Sequence, residues 1–289
     1  MSLIFVKVRN LFCKTPALAI GFAGLFIFAP CGQAAGVRDD GPSLDTGFRQ
    51  MYSLDFSAAH KTFDAWQERH PEDPLGPASD GAAYLFAEFE RLHILEIDLF
   101  TDKKEPKDAD RTLPDPAAQV LFEGALAKAD EIAGKVLAQT PNDSNALFAR
   151  VFTAGLRGNY AALVQKQNRA ALEFLKSSRI MAEKLVAIDP TYDDAYLAIG
   201  IENYLLGVRS APKRWILRLT GAQTDKDKGI ASLKITAEKG RYLAPYARLL
   251  LAVAALRDSD RKTAQKLLSD LAREFPQNRL YQVELERLL

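Results

Sequence analysis

Residues 193–200 read Asp193-Asp194-Ala195-Tyr196-Leu197-Ala198-Ile199-Gly200, and this stretch decides the fold. Its two acidic residues are of the type that caps the free amides at a helix start, and small and large apolar residues follow at helical spacing. Pro190 precedes the stretch, and prolines recur in similar surroundings at Pro141 and Pro276. Because proline lacks an amide hydrogen, each one ends a helix and opens a new unit. The pattern predicts helices that repeat in pairs.

A small residue stands twelve positions before the proline in three of these units. The pairs are Ala59 with Pro71, Ala129 with Pro141, and Ala264 with Pro276. Apolar residues at helical spacing lie between the two members of each pair. Small residues at fixed turns let two antiparallel helices approach closely, so the common spacing predicts helix pairs of one design. The alternative is a generic helical bundle in which the alanines only favour helix formation.

The pattern resembles the tetratricopeptide repeat, a helix-turn-helix unit of about 34 residues. The matching residues are Ala195, Tyr196, Ile199 and Gly200 on a first helix, Gly158 and Tyr160 at the turn within a repeat, and Phe56, Ala59, Phe63 and Pro71 on a second helix. The predicted helix from Tyr160 to Ile188 is about a dozen residues longer than the standard second helix of this family. The resemblance implies an all-α fold over residues 44–289, a right-handed α-solenoid of tetratricopeptide-like helix pairs with degenerate and elongated repeats.

Residues 1–34 have the features of a signal peptide. A basic lead with Lys7, Arg9 and Lys14 precedes the apolar run Ala17 to Ala29, and small residues stand before a cleavage site near Ala34. We therefore expect an exported, periplasmic protein in which residues 35–43 form a flexible lead.

Cys31 offers a second interpretation of the amino-terminal segment, lipid attachment. However, Pro30 stands before it, where a small residue is wanted, so a lipoprotein or membrane-anchored form is the less favoured prediction. Cys13 and Cys31 are the two cysteines of the chain. Cleavage near Ala34 would remove both, and the mature protein would contain no disulfide.

The composition argues against several functional classes. The net charge is +1 with basic and acidic residues intermixed, whereas nucleic-acid binding calls for a basic face. Glu90 and His93 have the spacing of two ligands in a di-iron bundle, but a second such pair is missing. Nucleophile turns and phosphate-binding loops are missing as well. The sequence therefore predicts no catalytic residues, no metal site and no cofactor.

The resemblance implies a protein or peptide partner, of an identity that the sequence does not reveal, bound in a groove lined by the first helices of successive repeats. The repeat register places ten residues there: Asn145, Phe148, Phe152, Asp194, Leu197, Ile201, Tyr204, Tyr246, Leu249 and Val253. The alternative is that adjacent helices bury these side chains. The predicted function is a non-catalytic protein-protein interaction scaffold of the bacterial cell envelope.

Residues 208–224 interrupt the repeats with basic residues around a tryptophan. Lys213, Arg214, Trp215 and Arg218 could form a membrane or partner segment, since basic and apolar side chains together suit an anionic membrane surface. The alternative is a short helix packed on the next repeat. Two rival functions follow from the sequence: a membrane-associated envelope assembly factor, and a carboxylate-dependent enzyme acting on envelope polymers.

Overall fold

The computed structural model describes residues 41–94, 113–209, 217 and 219–288, and these form eleven α-helices. The helices are α1 (Leu44–Tyr52), α2 (Phe56–Arg69), α3 (Leu75–Arg91), α4 (Pro116–Gln139), α5 (Ser144–Asn159), α6 (Asn168–Ile188), α7 (Tyr196–Gly207), α8 (Lys226–Lys239), α9 (Ala244–Arg257), α10 (Arg261–Glu274) and α11 (Arg279–Glu286). The predicted signal peptide and the predicted membrane or partner segment of Lys213, Arg214, Trp215 and Arg218 lie outside the described residues.

Each helix packs against the next one along the chain, from α1 to α11. Acidic side chains at several helix starts accept backbone N–H groups. Asp143 Oδ1, for example, accepts from Ala146 N at 2.8 Å at the start of α5. Within the described residues every regular element is a helix. The fold is therefore all-α and built from tetratricopeptide-like helix pairs, as the sequence predicted.

The turn inside the third helix pair lies later in the chain than predicted. The sequence placed it at Gly158 and Tyr160, but α5 runs to Asn159 and continues as a π-helix, Tyr160–Val164. The chain turns at residues 165–167, where Lys166 has φ 59°. Gly158 lies within α5, where a Cβ would be 3.4 Å from Phe174 Cβ of α6, an ordinary van der Waals contact.

The first and last repeats meet. Tyr52 Oη of α1 donates a hydrogen bond to the Tyr242 carbonyl oxygen at 3.1 Å, and Asn278 Nδ2 donates to the Tyr52 carbonyl oxygen at 2.8 Å. Arg241 donates from Nε and Nη2 to the two carboxylate oxygens of Asp45 at 2.9 and 2.6 Å. The partners are 190 to 226 residues apart in sequence, so the two ends of the repeat array share one core.

Gly200→Leu should be strongly destabilising because Gly200 is the contact point between α7 and α8. A Cβ at this position would lie 2.8 Å from Leu233 Cγ and 3.0 Å from Leu233 N. Forcing a larger side chain into such a site typically costs about 1–3 kcal/mol. Chemical denaturation measures the loss. Gly134→Leu is the matched control, since a Cβ at Gly134 meets nothing within 4 Å. Equal stability of the two variants would contradict the repeat register.

Candidate functional site

Six of the ten predicted groove residues come together around one cavity of about 50 Å³. They are Phe148, Phe152, Asp194, Leu197, Ile201 and Tyr246. Helix pairing brings them there because α5, α7 and α9 are the first helices of consecutive pairs. The aromatic rings of Phe148 and Phe152 stack with centroids 5.7 Å apart. The repeat register thus identified side chains that share one interior space.

These side chains do not form an open face. Phe148 is 1 % exposed and Phe152 is 8 % exposed. Phe48 of α1 lies with its ring centroid 6.2 Å from that of Phe152 and 4.9 Å from that of Tyr242. The cavity is closed further by Tyr52, which the groove prediction missed. Binding of a partner through these residues stays a prediction.

Asp194 holds the chain together instead of facing an open groove. Its carboxylate accepts backbone N–H groups of Arg241, Tyr242 and Leu243 at distances from 2.8 to 3.2 Å. Burial raises the pKa of this carboxyl above its ordinary value, although the three N–H donors act in the opposite direction. Asp194 therefore fixes the turn that leads into α9. The capping residue type was evident in the sequence, but the distant amides that it caps were not.

The remaining predicted groove residues lie apart from the cavity. Leu249 and Val253 line a small apolar void beside Phe89. Asn145 donates from Nδ2 to Asp73 Oδ1 at 2.9 Å and accepts from Tyr192 Oη at 3.2 Å. Tyr204 packs closely on α8. A Cβ added at Gly229 of α8 would lie 2.5 Å from the backbone N of Tyr204.

A larger space lies outside this core, between α6 and α7. We call it the α6–α7 groove; it has a volume of about 570 Å³. It is lined by Gly158, Asn159, Ala162, Asn168, Ala171, Leu172, Leu175, Ile201, Leu205, Leu206, Arg209 and Leu217. Leu172 is 37 % exposed and Leu205 is 38 % exposed. A volume of this size is within the range of roughly 300–1,000 Å³ that is typical of ligand sites.

Three side chains separate the α6–α7 groove from the central cavity. Asn159, Leu175 and Ile201 line both spaces. Ile201 is thus the one predicted groove residue that reaches the outer site. The sequence carried a signal for this site in the elongated third repeat, because the extra residues form the π-helix and the amino-terminal part of α6 that line it.

A buried ion-pair network joins α6 and α7 one helical turn beyond the groove-lining residue Leu175. Arg179 Nε of α6 donates to Glu202 Oε2 at 2.8 Å, and Arg179 Nη1 donates to Glu183 Oε2 at 2.6 Å. Gln223 N donates to Glu202 Oε1 at 2.9 Å. Arg179 and Glu202 are 5 % and 1 % exposed. The network therefore ties α6, α7 and the chain before α8 into one rigid support.

The titratable side chains of α2 and α3 include one close pair. His60 Nδ1 and Asp80 Oδ1 are 2.5 Å apart, and the His60 ring packs on Tyr84 with centroids 4.1 Å apart. Burial raises the pKa of Asp64 nearby, and the charge of Asp80 adds to this effect. Within the described part of the chain, His, Cys, Asp and Glu side chains form no group of three or more that could hold a metal ion.

Comparison with known proteins gives a weak structural similarity. The chain is similar to the crystal structure of TTC0263, a thermophilic TPR protein in Thermus thermophilus, with 16 % sequence identity and a TM-score of 0.44. The similarity covers 85 % of this chain and 98 % of that chain. No protein-family model and no curated protein sequence matches the chain. The tetratricopeptide-like fold class rests on the chain's own helix pairs, because a TM-score this low does not establish a shared fold.

Proposed function

We propose that this protein is a non-catalytic protein-protein interaction scaffold of the bacterial cell envelope and that it binds its partner at the α6–α7 groove. The observation that carries the proposal is the pair of half-exposed leucines, Leu172 and Leu205, on either side of an apolar groove of about 570 Å³. Apolar side chains that remain open to water around a concave surface are typical of interaction sites.

The rigidity of the helix pairs supports the proposal. Two of the groove walls belong to α6 and α7, which the buried pair of Arg179 and Glu202 joins. A surface that is already in place loses little conformational freedom when a partner binds, and this favours affinity.

Replacing both Leu172 and Leu205 with aspartate should reduce partner capture. We expect the double variant to recover at least roughly tenfold less partner from a periplasmic extract, because loss of a central apolar hot spot costs about 2 kcal/mol or more. Ile180→Asp is the matched control. Ile180 is also a large apolar residue of α6, is 49 % exposed and does not line the groove. Equal capture by the double variant and this control would exclude the groove as the binding surface.

The envelope location rests on the sequence of residues 1–34, and it belongs to the proposal. Export would be followed by cleavage near Ala34, and the intact mass of the protein recovered from the periplasm measures this. Within the described ranges, no helix has both the length and the apolar character required to cross a membrane. The membrane-associated alternative rests on Trp215 and its basic neighbours, and recovery of the protein in salt-washed membranes would favour it.

A further inference from the structure

We infer that the central cavity is a binding site for one small apolar molecule, with roughly three to five non-hydrogen atoms. This inference is independent of the α6–α7 groove and of the proposed function. It is carried by the walls of the cavity, by the hydrogen bonds of its polar side chains and by its volume.

The walls of the cavity are mostly apolar and come from distant parts of the chain. They belong to α1, α3, α5, α6, α7 and α9 and to the residues just before α7 and α9, and all of them lie in the described ranges. The lining includes Phe86, Phe148, Phe152, Leu156 and Leu197, each of which is at most 8 % exposed. A molecule in this space would contact apolar side chains on several sides, and the dispersion attraction grows with the number of such contacts.

The polar side chains of the lining already have partners. Ser178 Oγ donates to the Val151 carbonyl oxygen at 2.8 Å, and the Asp194 carboxylate accepts the backbone N–H groups before α9. The Tyr246 hydroxyl forms a hydrogen bond with the Asn159 side chain. In the described part of the chain, the buried side-chain N and O atoms without a hydrogen-bond partner belong to residues outside this lining: Ser79, Tyr160, Tyr204 and Arg248. Because an internal water needs about two to four polar partners, the cavity favours an apolar occupant over water.

The volume of the cavity limits the size of the occupant. One water needs about 10–15 Å³ of such space, so a cavity of about 50 Å³ has room for roughly three to five groups of that size. An engineered apolar cavity that takes up benzene or xenon is larger, at about 150 Å³. Aromatic rings and lipid chains are therefore too large for this site. A dissolved apolar gas or a short hydrocarbon is of the right class, and xenon is a probe for it.

Gly155 of α5 offers a way to fill the cavity. It lines the space, and a Cβ at this position would meet Ser178 Oγ at 3.5 Å, an ordinary van der Waals contact. An added methyl group would therefore occupy part of the cavity without displacing a wall. Gly134 of α4 is the matched control, because a Cβ there meets nothing within 4 Å and Gly134 does not line the cavity. Both substitutions replace a helical glycine by alanine, so they change helix propensity alike.

Nuclear magnetic resonance of the methyl groups under xenon pressure tests the inference on the purified protein. Xenon should shift the signals of Leu156 and Leu197 until the site is saturated, whereas benzene should not. Gly155→Ala should weaken xenon binding at least roughly tenfold, because the remaining space is too small for the atom. Gly134→Ala should leave xenon binding unchanged. Ala198→Val fills the same cavity from α7 and should weaken xenon binding as well.

Three outcomes contradict the inference. Equal xenon binding by the two filling variants and Gly134→Ala would place xenon elsewhere, and saturable binding of benzene would remove the size limit. Nuclear Overhauser effects between water and the lining methyl groups would show that water fills the cavity. Circular dichroism checks the fold, and if a filling variant loses helix content, the xenon and benzene titrations of the unmodified protein decide. These results are separate from partner capture, because Leu172 and Leu205 do not line the cavity.

Discussion

Glu202→Leu should reduce the free energy of unfolding by about 3–5 kcal/mol, the usual cost of removing one partner from a buried ion pair. Arg179 Nε would lose the carboxylate at 2.8 Å, and Gln223 N would lose its acceptor. Glu183 would still accept from Arg179, but it is only partly buried. Arg179 would then have only this partly buried carboxylate to compensate its charge, which is costly between α6 and α7 because little water reaches the guanidinium. Urea denaturation followed by circular dichroism measures the change.

The control for this prediction is an ion pair of similar geometry in full contact with solvent. Lys135 Nζ lies 2.6 Å from Glu131 Oε1 on α4, and these side chains are 70 % and 67 % exposed. Such pairs contribute little because water solvates both charges and salt screens them. Glu131→Gln should therefore leave the denaturation midpoint unchanged. A Glu202→Leu midpoint that coincides with that of Glu131→Gln would show that the buried network contributes nothing to stability.

The order of the helices could be predicted from the sequence because its signals are local. Prolines, capping acids such as Asp143, and apolar spacing act within a few residues, and together they predicted the helices packed in succession that the structure shows. The turn after α5 was misplaced because a glycine does not by itself mark a turn. Gly158 lies inside α5, and the chain turns at residues 165–167, after the π-helix.

The groove prediction was limited by a contact that no local pattern contains. Repeat register identified Phe148, Phe152 and Leu197 as inward-facing, and the structure does bring them to one cavity. Whether an inward face is open depends on what lies across it. Here Phe48 of α1 packs on Phe152 and also on Tyr242, which lies almost 200 residues later in the sequence. For the same reason alanine substitutions at Phe152 would report on stability as much as on binding.

Phe48→Ala should destabilise the protein by about 3–5 kcal/mol and should do so at both ends of the chain. Phe48 is 4 % exposed, and its ring packs on Tyr242, Phe63 and Phe152 at centroid distances of 4.9, 5.6 and 6.2 Å. In an open repeat array each unit contacts only its neighbours, so damage to α1 would remain local. Here α1 also contacts the last repeats, through Tyr242 and Asn278. Native-state hydrogen exchange should therefore become faster in α9–α11 as well as in α1 and α2.

Phe122→Ala is the control that separates loss of the contact between the first and last repeats from a general loss of stability. Phe122 of α4 is 1 % exposed, and its ring stacks on that of Tyr160 with centroids 5.0 Å apart. The two substitutions remove the same side chain from buried sites, so their costs should be similar. The Phe122 variant should loosen α4 and α5 first, whereas the Phe48 variant should loosen α1 together with α9–α11. Faster exchange confined to α1 and α2 in the Phe48 variant would mean that the contact between the first and last repeats does not couple the two ends, and that α1 can leave the central cavity without disturbing the carboxy-terminal helices.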